Sequence, residues 1–417
     1  MKTPRLAIID GVRTPFSRMG TDLAGLSAAD LGTIAVRALL VRTGVDPEWI
    51  SETILGCVAQ PADAANIARV VALRAGIPEH VPAMTVHRNC ASGMESVTTA
   101  FERMAAGSGE LFVVGGTESM SNVPLLFQPG AAAKFALLSR ARSLGAKAGA
   151  VSRFRTHDFA PRIGLQLGLT DPVVGMNMGE TAELLAHELG ISRDVQDSFA
   201  VESHLKAAAA GAAFLEEISP VYTPDRKPGF VAEDNGIRPD SSAEKLARLK
   251  PAFDRIDGTV TAGNASQITD GAVALLVGTE AMAEKLGMEP LGYLTAHAYT
   301  GCDPKRMGLG PVSAIRAASD KAGLKLADAD VIEINEAFAV QVLAVLKHLE
   351  KHGGVPKEIL NPNGGAIALG HPVGATGARL ILTSLKELKR RNAHRALAAL
   401  CVGGGQGGAV WLERSPL

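Results

Sequence analysis

The chain has 417 residues, 47% of them hydrophobic, and a formal net charge of -1. That length implies two or three domains or one large duplicated domain with buried cores, and the balanced charge excludes a global attraction for nucleic acid. Met1 to Ile9 alternates charged and apolar residues, and no run approaches the roughly twenty apolar residues of a membrane span, so neither a signal peptide nor a transmembrane helix is expected. The expected location is the cytoplasm, where thiols stay reduced. The four cysteines therefore read as buried filler or as reactive groups, and Cys57 and Cys302 fall in the first class.

In chain order, Leu6 to Ile9, Ile54 to Val58, Met84 to Val86 and Leu111 to Val114 are short apolar runs that end in polar or glycine residues, with helical stretches between them. This is an α/β pattern. Met94, Val97, Phe101 and Met104 have the spacing of one buried helix face, which puts Cys90 at or near a helix N-terminus. The 45 glycines exceed the usual share of about 7%, and aromatics are only 4%, so thin elements are expected to pack closely.

The last third repeats this grammar. Leu309 to Ala318 echoes Leu26 to Leu39, Val331 to Ile334 echoes Ile54 to Val58, and Ala398 to Gly405 echoes Phe112 to Gly116. In the second copy Gly374-Ala375-Thr376-Gly377 opens a helix where Cys90-Ala91-Ser92-Gly93 opens one in the first. A pseudo-twofold would bring the two turns face to face. Between the halves, from about Pro124 to Phe253, lies a stretch of different character, with turns at Pro129-Gly130, Pro228-Gly229 and Asn235-Gly236. From Ser119 to His157 it has no acidic residue, while Lys134, Arg140, Arg142, Lys147, Arg153 and Arg155 are all basic. Such a run reads as a solvated helical face or as a site for a phosphate-rich ligand, a membrane surface or a partner protein.

Three glycine-rich turns carry the chemistry. A thiol at a helix N-terminus beside an imidazole has two means of lowering its pKa, and Cys90 is expected to have both. Its amide can point at a substrate oxygen, as an oxyanion hole requires; the plain alternative is a buried cysteine packed as a small hydrophobe. His371, in a loop from Gly364 to Gly374 too glycine-rich for a helix, can act as general base. Cys401 ends a strand and opens the Gly403-Gly404-Gly405 run, whose amides suit proton transfer beside a developing negative charge. No lysine or Ser/Thr follows that run as a phosphate-binding loop needs. Asn335 ends another strand, where its amide can hold a water or an oxyanion, or cap the next helix.

Asn89-Cys90-Ala91-Ser92-Gly93, Gly263-Asn264-Ala265-Ser266, Asn335-Glu336-Ala337-Phe338, Gly370-His371-Pro372 and Cys401-Val402-Gly403-Gly404-Gly405 resemble the signatures of the thiolases, in family order. The resemblance runs from Arg13-Thr14-Pro15-Phe16 to the last strand. It implies an α/β, duplicated, five-layered α-β-α-β-α thiolase fold with an inserted α-rich loop domain that binds coenzyme A. The implied bounds are 1–123 plus 256–285 for the N-terminal half, 124–255 for the loop domain and 286–417 for the C-terminal half. It further implies a homodimer or homotetramer, no metal, and no permanently bound cofactor, with acyl-CoA and coenzyme A as substrates.

By the same resemblance Cys90 is the nucleophile, His371 its base, and Cys401 the group that exchanges the proton at the substrate α-carbon or on the incoming thiol. Asn335, through a water, and His371 bind the thioester oxygen, and the amides of Cys90 and Gly403 form the hole for the acyl-enzyme. Met178, Arg238, Phe253, Ala262, Ser266 and Phe338 match coenzyme A positions. Two departures stand out. Asn177 precedes Met178 where many short-chain members carry histidine, whereas Glu233 to Arg238, Leu249 to Arg255 and the basic insertion look like the thiolase subunit of fatty-acid oxidation complexes, which usually have histidine at the position of Asn335. The expected activity is thiolytic cleavage of 3-ketoacyl-CoA in β-oxidation, with condensation of two acetyl-CoA as the alternative. A decarboxylating ketoacyl synthase needs no second thiol, and an inactive CoA or lipid carrier needs none of the catalytic positions. The basic segment 134–155 is expected to dock a hydratase-dehydrogenase partner or a membrane surface, if it docks anything.

Overall fold

The computed structural model describes residues 5–223 and 229–414. Residues 1–4 and Pro228 of the expected Pro228-Gly229 turn lie outside the described residues. The strands that organise the fold are β1 (Leu6–Arg13), β2 (Glu52–Gly56), β3 (Ala83–Val86), β4 (Leu111–Glu118), β5 (Thr269–Gly278), β6 (Gly292–Gly301), β7 (Val331–Ile334), β8 (Arg395–Val402) and β9 (Gln406–Glu413). The main helices are α1 (Ala28–Thr43), α2 (Ile67–Ala75), α3 (Ser92–Ala105), α4 (Met178–Leu189), α5 (Arg193–Ala209), α6 (Gly310–Ala322), α7 (Ala339–Leu349) and α8 (Val373–Arg391), of which α4 and α5 pack on α7 rather than on strands. Capping fixes several helix ends. Ser27 and Asp30 form a reciprocal capping box at the start of α1, and Gly44 closes it in the left-handed region.

The strands hydrogen-bond in the order β7-β8-β9-β6-β1-β5-β4-β2-β3. The contact between β1 and β6 is short, from Leu6 opposite Leu294 to Ile8 opposite Gly292. On either side of it the chain repeats itself: β2-β4-β5-β1 in the first half matches β7-β8-β9-β6 in the second, with parallel pairing at β2/β4 and β7/β8 and antiparallel pairing elsewhere. The first half adds β3, parallel to β2; in the second half only an isolated parallel bridge between Ile332 and Leu360 takes that place. The expected echoes of sequence are thus echoes of structure. The strands extend beyond their apolar runs; β4 continues through Gly115, Gly116 and Thr117 to Glu118, because backbone pairing with β5 carries on where the side chains turn small or polar.

Three apolar clusters explain the layers. Ala7, Ile9, Leu55, Val113 and Leu276 pack outward on α1 and α2. The alternate residues Ile8, Ile54, Val114 and Leu275 face α3 and α8, which also meet Leu294, Val331, Leu400 and Leu412 of the second half. Ile332, Ile334, Leu397 and Trp411 face α6 and α7. The sequence of layers is helix, sheet, helix, sheet, helix, and strands buried on both faces read as near-continuous apolar runs. All eight residues of β1 and all ten of β5 are buried.

The middle layer is held by glycine. A Cβ on Gly93 of α3 would lie 2.8 Å from the Gly374 carbonyl oxygen and 2.9 Å from the Ala378 nitrogen, and one on Gly377 of α8 would lie 2.4 Å from the Met94 nitrogen. The N-terminal turns of α3 and α8 therefore cross backbone against backbone. Gly116 on β4 completes the contact, its Cβ position being 1.9 Å from the Gly374 oxygen.

Contacts divide the chain into two compact units, one of Met1–Asn122 with Asp171–Leu417 and the other of Val123–Thr170. The smaller contains helices Pro129–Arg140 and Leu144–Val151 and a short pairing of Leu125–Leu126 with Arg162–Ile163. The rings of Phe127 and Phe154 lie 5.0 and 4.9 Å from that of Phe135, and Phe159 stacks on Phe154 at 5.4 Å. Among the described residues no helix is long and apolar enough to cross a membrane.

Because the atoms opposing Gly377 are backbone and cannot swing away, Gly377→Ala is expected to cost about 1–3 kcal/mol and lower the melting temperature by several degrees. Gly145→Ala, at an open helical position, is expected to be neutral or slightly stabilising. Paired thermal melts check the contrast, and equal melting temperatures for the two variants would contradict the close crossing.

Candidate active site

The α3–α8 crossing brings two loops together. The first is Arg88-Asn89-Cys90-Ala91, which enters α3. Asn89 adopts a positive φ of 42°, unusual for a residue with a side chain, and its amide nitrogen donates to the Gly403 carbonyl at 2.7 Å. The Ser92 hydroxyl accepts from the Arg88 amide at 2.9 Å and donates to the Asn89 carbonyl at 2.7 Å. The loop is thereby bent so that Cys90, half-buried, sits near the amides of Gly403 and of Cys90 itself, which favour its thiolate. Burial nevertheless outweighs those amides and holds the thiol above its ordinary pKa, with the nearby Glu118 adding to the rise. The expected low pKa of Cys90 is thus corrected: in the resting site it is a thiol.

The second loop is that of His371. A one-turn helix, Ala366–Leu369, forms inside the segment that glycine content marked as non-helical, bracketed by Gly365 and by Gly370 at φ 98°. It forms because Glu336 anchors it: the carboxylate accepts from the Ile367 amide at 3.2 Å, the Ser203 hydroxyl at 2.6 Å and the Asn361 amide at 2.8 Å. His371 follows, its amide donating to the Gln267 carbonyl at 3.2 Å and the Thr269 hydroxyl at 3.1 Å. The Thr376 hydroxyl donates to the Pro372 carbonyl at 2.9 Å and stands 2.6 Å from His371 Nδ1. With its only proton engaged, that hydroxyl accepts from Nδ1–H, which assigns the tautomer and leaves Nε2 bare. Nε2 is buried and has no partner among the described residues. Burial first, then the positive charge of Arg379, lowers the His371 pKa to about 4, so the ring is neutral at physiological pH.

Cys401, the penultimate residue of β8, is fully buried among Ala337, Phe338 and Val260. Burial, and then the nearby Cys90, push its pKa well up. Gly404 and Gly405 turn the chain at φ 88° and 78°, and the Gly405 carbonyl accepts from the Cys302 amide at 2.7 Å. Asn335 is fully buried, and both polar atoms of its side chain lack a partner among the described residues. It does not cap the following helix, whose N-cap is Phe338. An unpaired buried amide costs about 1–3 kcal/mol, the kind of cost that persists at functional sites.

The coenzyme A positions divide. Met178 lies against Gly403, whose Cβ position is 3.5 Å from the Met178 sulfur. Phe253 and Phe338 meet edge to face at 6.2 Å, and Gly179 lies flat under the Phe253 ring. Ser266 joins them through its amide, which donates to the Ala337 carbonyl at 2.9 Å. Glu183 fixes this wall by accepting from the amides of Thr259 and Val260. Asn177 is the cap of α4, its side chain accepting from the Gly179 amide at 3.0 Å. Arg238 and Ala262 are exposed, and no described hydrogen bond or ion pair joins their side chains to the aromatic pair. All four cysteines are free.

Sequence reasoning missed Thr376, Glu118 and Glu336. Glu118 accepts from the amides of Val58 at 3.0 Å, Ala59 at 2.9 Å and Gly374 at 2.9 Å, and so ties the start of α8 to the loop after β2. Thr376 was within reach of the sequence as a hydroxyl five residues after His371. The carboxylates were not, since their partners are backbone amides remote in the chain.

Two family models cover almost the whole chain: "Thiolase, N-terminal domain" over residues 6–281 and "Thiolase, C-terminal domain" over residues 288–414. The chain is 43% identical to an acetyl-CoA acetyltransferase of Chromobacterium violaceum, over 98% of this chain and 99% of that one. It is 40% identical to a 3-ketoacyl-CoA thiolase of Pectobacterium carotovorum, over 99% of this chain and 97% of that one. Among solved structures, human mitochondrial 3-ketoacyl-CoA thiolase in complex with CoA superposes with a TM-score of 0.88 at 37% identity, covering 99% of this chain and 98% of that chain.

Thr376→Val is expected to lower turnover in a thiolase assay by about tenfold or more, part of the roughly 10²–10⁴ that a positioned base supplies, with Thr376→Ser restoring most of it. An unchanged rate in the valine variant would make the hydroxyl structural only. For pH, a histidine held at about 4 stays a neutral base as pH falls through about 6.5, the ordinary value. The initial rate is therefore expected to show no acid limb near 6.5, and a limb centred there would contradict the buried, neutral ring. The sign for stability is the reverse of a benefit: between about 6.5 and about 4 the unfolded chain takes up the proton that buried His371 refuses, so stability falls as pH drops through that window.

Proposed function

The chain belongs to the thiolase family of acyltransferases, and on that premise we propose that it cleaves 3-ketoacyl-CoA with coenzyme A, giving acetyl-CoA and a shortened acyl-CoA. The single observation that most supports this reading is the backbone-on-backbone crossing of α3 and α8 at the turns that directly follow Cys90 and His371.

In the first half-reaction the bare Nε2 of His371 accepts the Cys90 proton as the sulfur attacks the C3 carbonyl of the substrate. A buried thiol above its ordinary pKa suits this, because proton transfer accompanies attack and no exposed thiolate waits to be oxidised. The amides of Cys90 and Gly403 stabilise the oxyanion. The C2–C3 bond then breaks, the acyl group stays on Cys90, and acetyl-CoA leaves as its enolate, protonated at the α-carbon by Cys401. Asn335, whose side chain has no other partner among the described residues, and His371 hold the thioester oxygen of that enolate, the former through a water. In the second half-reaction coenzyme A loses its thiol proton to Cys401, attacks the Cys90 thioester and releases the shortened acyl-CoA, and Cys90 regains its proton from His371. Met178, Phe253, Phe338 and Ser266 would line the pantetheine path, with Ala262 beside it and Arg238 at the phosphate end.

We read the direction as degradative, with condensation of two acetyl-CoA as the reverse use of the same groups. The loop domain is taken as 124–255, the assembly as a homodimer or homotetramer, and the setting as the cytoplasm, whose reducing poise keeps both thiols free.

Cys90→Ala is expected to abolish turnover, whereas Cys401→Ala is expected to accumulate the acyl-enzyme with turnover lowered by at least about 10². Intact-protein mass spectrometry with a rate assay separates the two, and normal turnover in Cys401→Ala would make that thiol structural. A series of 3-ketoacyl-CoA chain lengths tests direction: a broad profile supports the degradative reading, and cleavage restricted to acetoacetyl-CoA would contradict it.

A further inference from the structure

Where the two halves of the sheet join, away from the proposed chemistry, a cavity of about 550 Å³ opens beside Ile9 of β1 and Leu291. The Leu291 amide donates to the Ile8 carbonyl at 2.8 Å, just ahead of the short β1–β6 contact. Arg42 in the last turn of α1 and Lys386 and Lys389 toward the end of α8 face the same space. At a rise of about 1.5 Å per residue, Lys386 lies roughly 20 Å along α8 from its start at Val373. The cavity is therefore remote from the His371 loop.

Its cations converge without enough counter-charge. The Glu216 carbonyl oxygen accepts from Arg42 Nη1 at 2.9 Å and from Lys386 Nζ at 3.0 Å. Two positive charges thus share one uncharged oxygen and stand within about 6 Å of each other, where like charges repel. Lys386 is only 4% exposed, and the carboxylates around it are engaged elsewhere. Asp10 pairs with Arg42 Nε at 2.9 Å and accepts from the Gly11 amide at 2.7 Å. The Glu216 carboxylate faces Arg390 at 3.3 Å, and Arg390 in turn donates to Glu387 at 2.9 Å. Glu217, deeper in, holds Arg13 and Thr383. Burial first, then Arg42, lowers the Lys386 pKa against the pull of Asp10, Glu217 and Glu216.

A buried ammonium with one described acceptor for its three protons has donors to spare. The exposed Lys389 adds another, since no described hydrogen bond or ion pair engages its ammonium. Convergent ammonium and guanidinium donors match the several oxygens of a phosphate group. Glu289, exposed on the opposite wall, keeps the anionic end of a ligand on the Arg42–Lys386 side. Met288 and Leu291 leave an apolar wall for an organic group.

We propose that the cavity bounded by Arg42, Lys386 and Lys389 binds a phosphate oxyanion, free or as a monoester, and that the bound anion ties α1 to α8 across the join of the two halves. The site shares no residue with the thiolase chemistry and does not depend on it.

The test is isothermal titration calorimetry of the full chain with inorganic phosphate and, separately, with glycerol 3-phosphate, at fixed pH and with ionic strength held constant by sodium chloride. Saturable binding is expected, and the melting temperature in phosphate should exceed that in chloride of equal ionic strength. Lys386→Met removes the ammonium but keeps an aliphatic stem, and should weaken binding about tenfold or more. Lys389→Ala, at an exposed position, should weaken it severalfold without disturbing the core. Neither variant should alter the thiolase rate in phosphate-free buffer. Tighter binding of the monoester would assign the apolar wall to its organic part, and equal binding would assign the site to free phosphate. No saturable heat with either ligand overturns the proposal and leaves the cations to complement the ends of α1 and α8. Phosphate binding that both variants leave unchanged also overturns it, because the anion would then sit elsewhere on the chain.

Discussion

The backbone-on-backbone crossing of α3 and α8 is the constraint on which the rest depends. Gly93, Gly374 and Gly377 have no side chains, so two helices that open equivalent segments of a duplicated fold approach until carbonyls meet amides. Each helix is preceded by a loop, and the crossing sets Cys90 and His371 at the same end of the shared middle layer. A layer built of ordinary side chains would hold the helices, and the loops in front of them, several ångströms further apart.

Duplication supplies the frame, and departures from symmetry supply the chemistry. The first half contributes a thiol before its central helix; the second contributes an imidazole at the equivalent place. The strand that precedes the second crossover, β7, ends in Asn335-Glu336, where Asn335 is left unpaired and Glu336 is committed to anchoring the His371 loop. In the first half the corresponding anchor is Glu118, which accepts from three amides and reaches across to Gly374 of α8. Both carboxylates are buried and held above their ordinary pKa by desolvation, so each gives up its solvation to fix a backbone loop. Rigidity of the loops is purchased in this way at two buried carboxylates, and Asn335 and His371 Nε2 are left without competing partners among the described residues.

Much of this was legible in the sequence, and the parts that were not share a cause. Apolar period and glycine position gave away the strands, the α3 face from Met94 to Met104 and the repeat, because those signals are local. The same locality set the error at the His371 loop: glycine content argued against a helix over Ala366–Leu369, and a distant carboxylate, Glu336, made one. The expected low pKa of Cys90 rested on its place before a helix, whereas its burial is a property of the assembled layers that no local spacing reveals. The tautomer of His371 was within reach, since Thr376 lies one turn into the same helix, but only the hydroxyl's contact with the Pro372 carbonyl decides the direction of the hydrogen bond.

The central claim is that this assembled corner makes Cys90, and not its neighbour Cys401, the group that takes the acyl chain. Wild-type protein mixed with acetoacetyl-CoA in the absence of free coenzyme A, quenched in acid and mapped by peptide mass spectrometry, tests it most directly. The account predicts one acetyl group, on the peptide that contains Cys90, discharged when coenzyme A is added before the quench. An acetyl group on Cys401, Cys57 or Cys302, or a Cys90 adduct that coenzyme A fails to discharge, would contradict it.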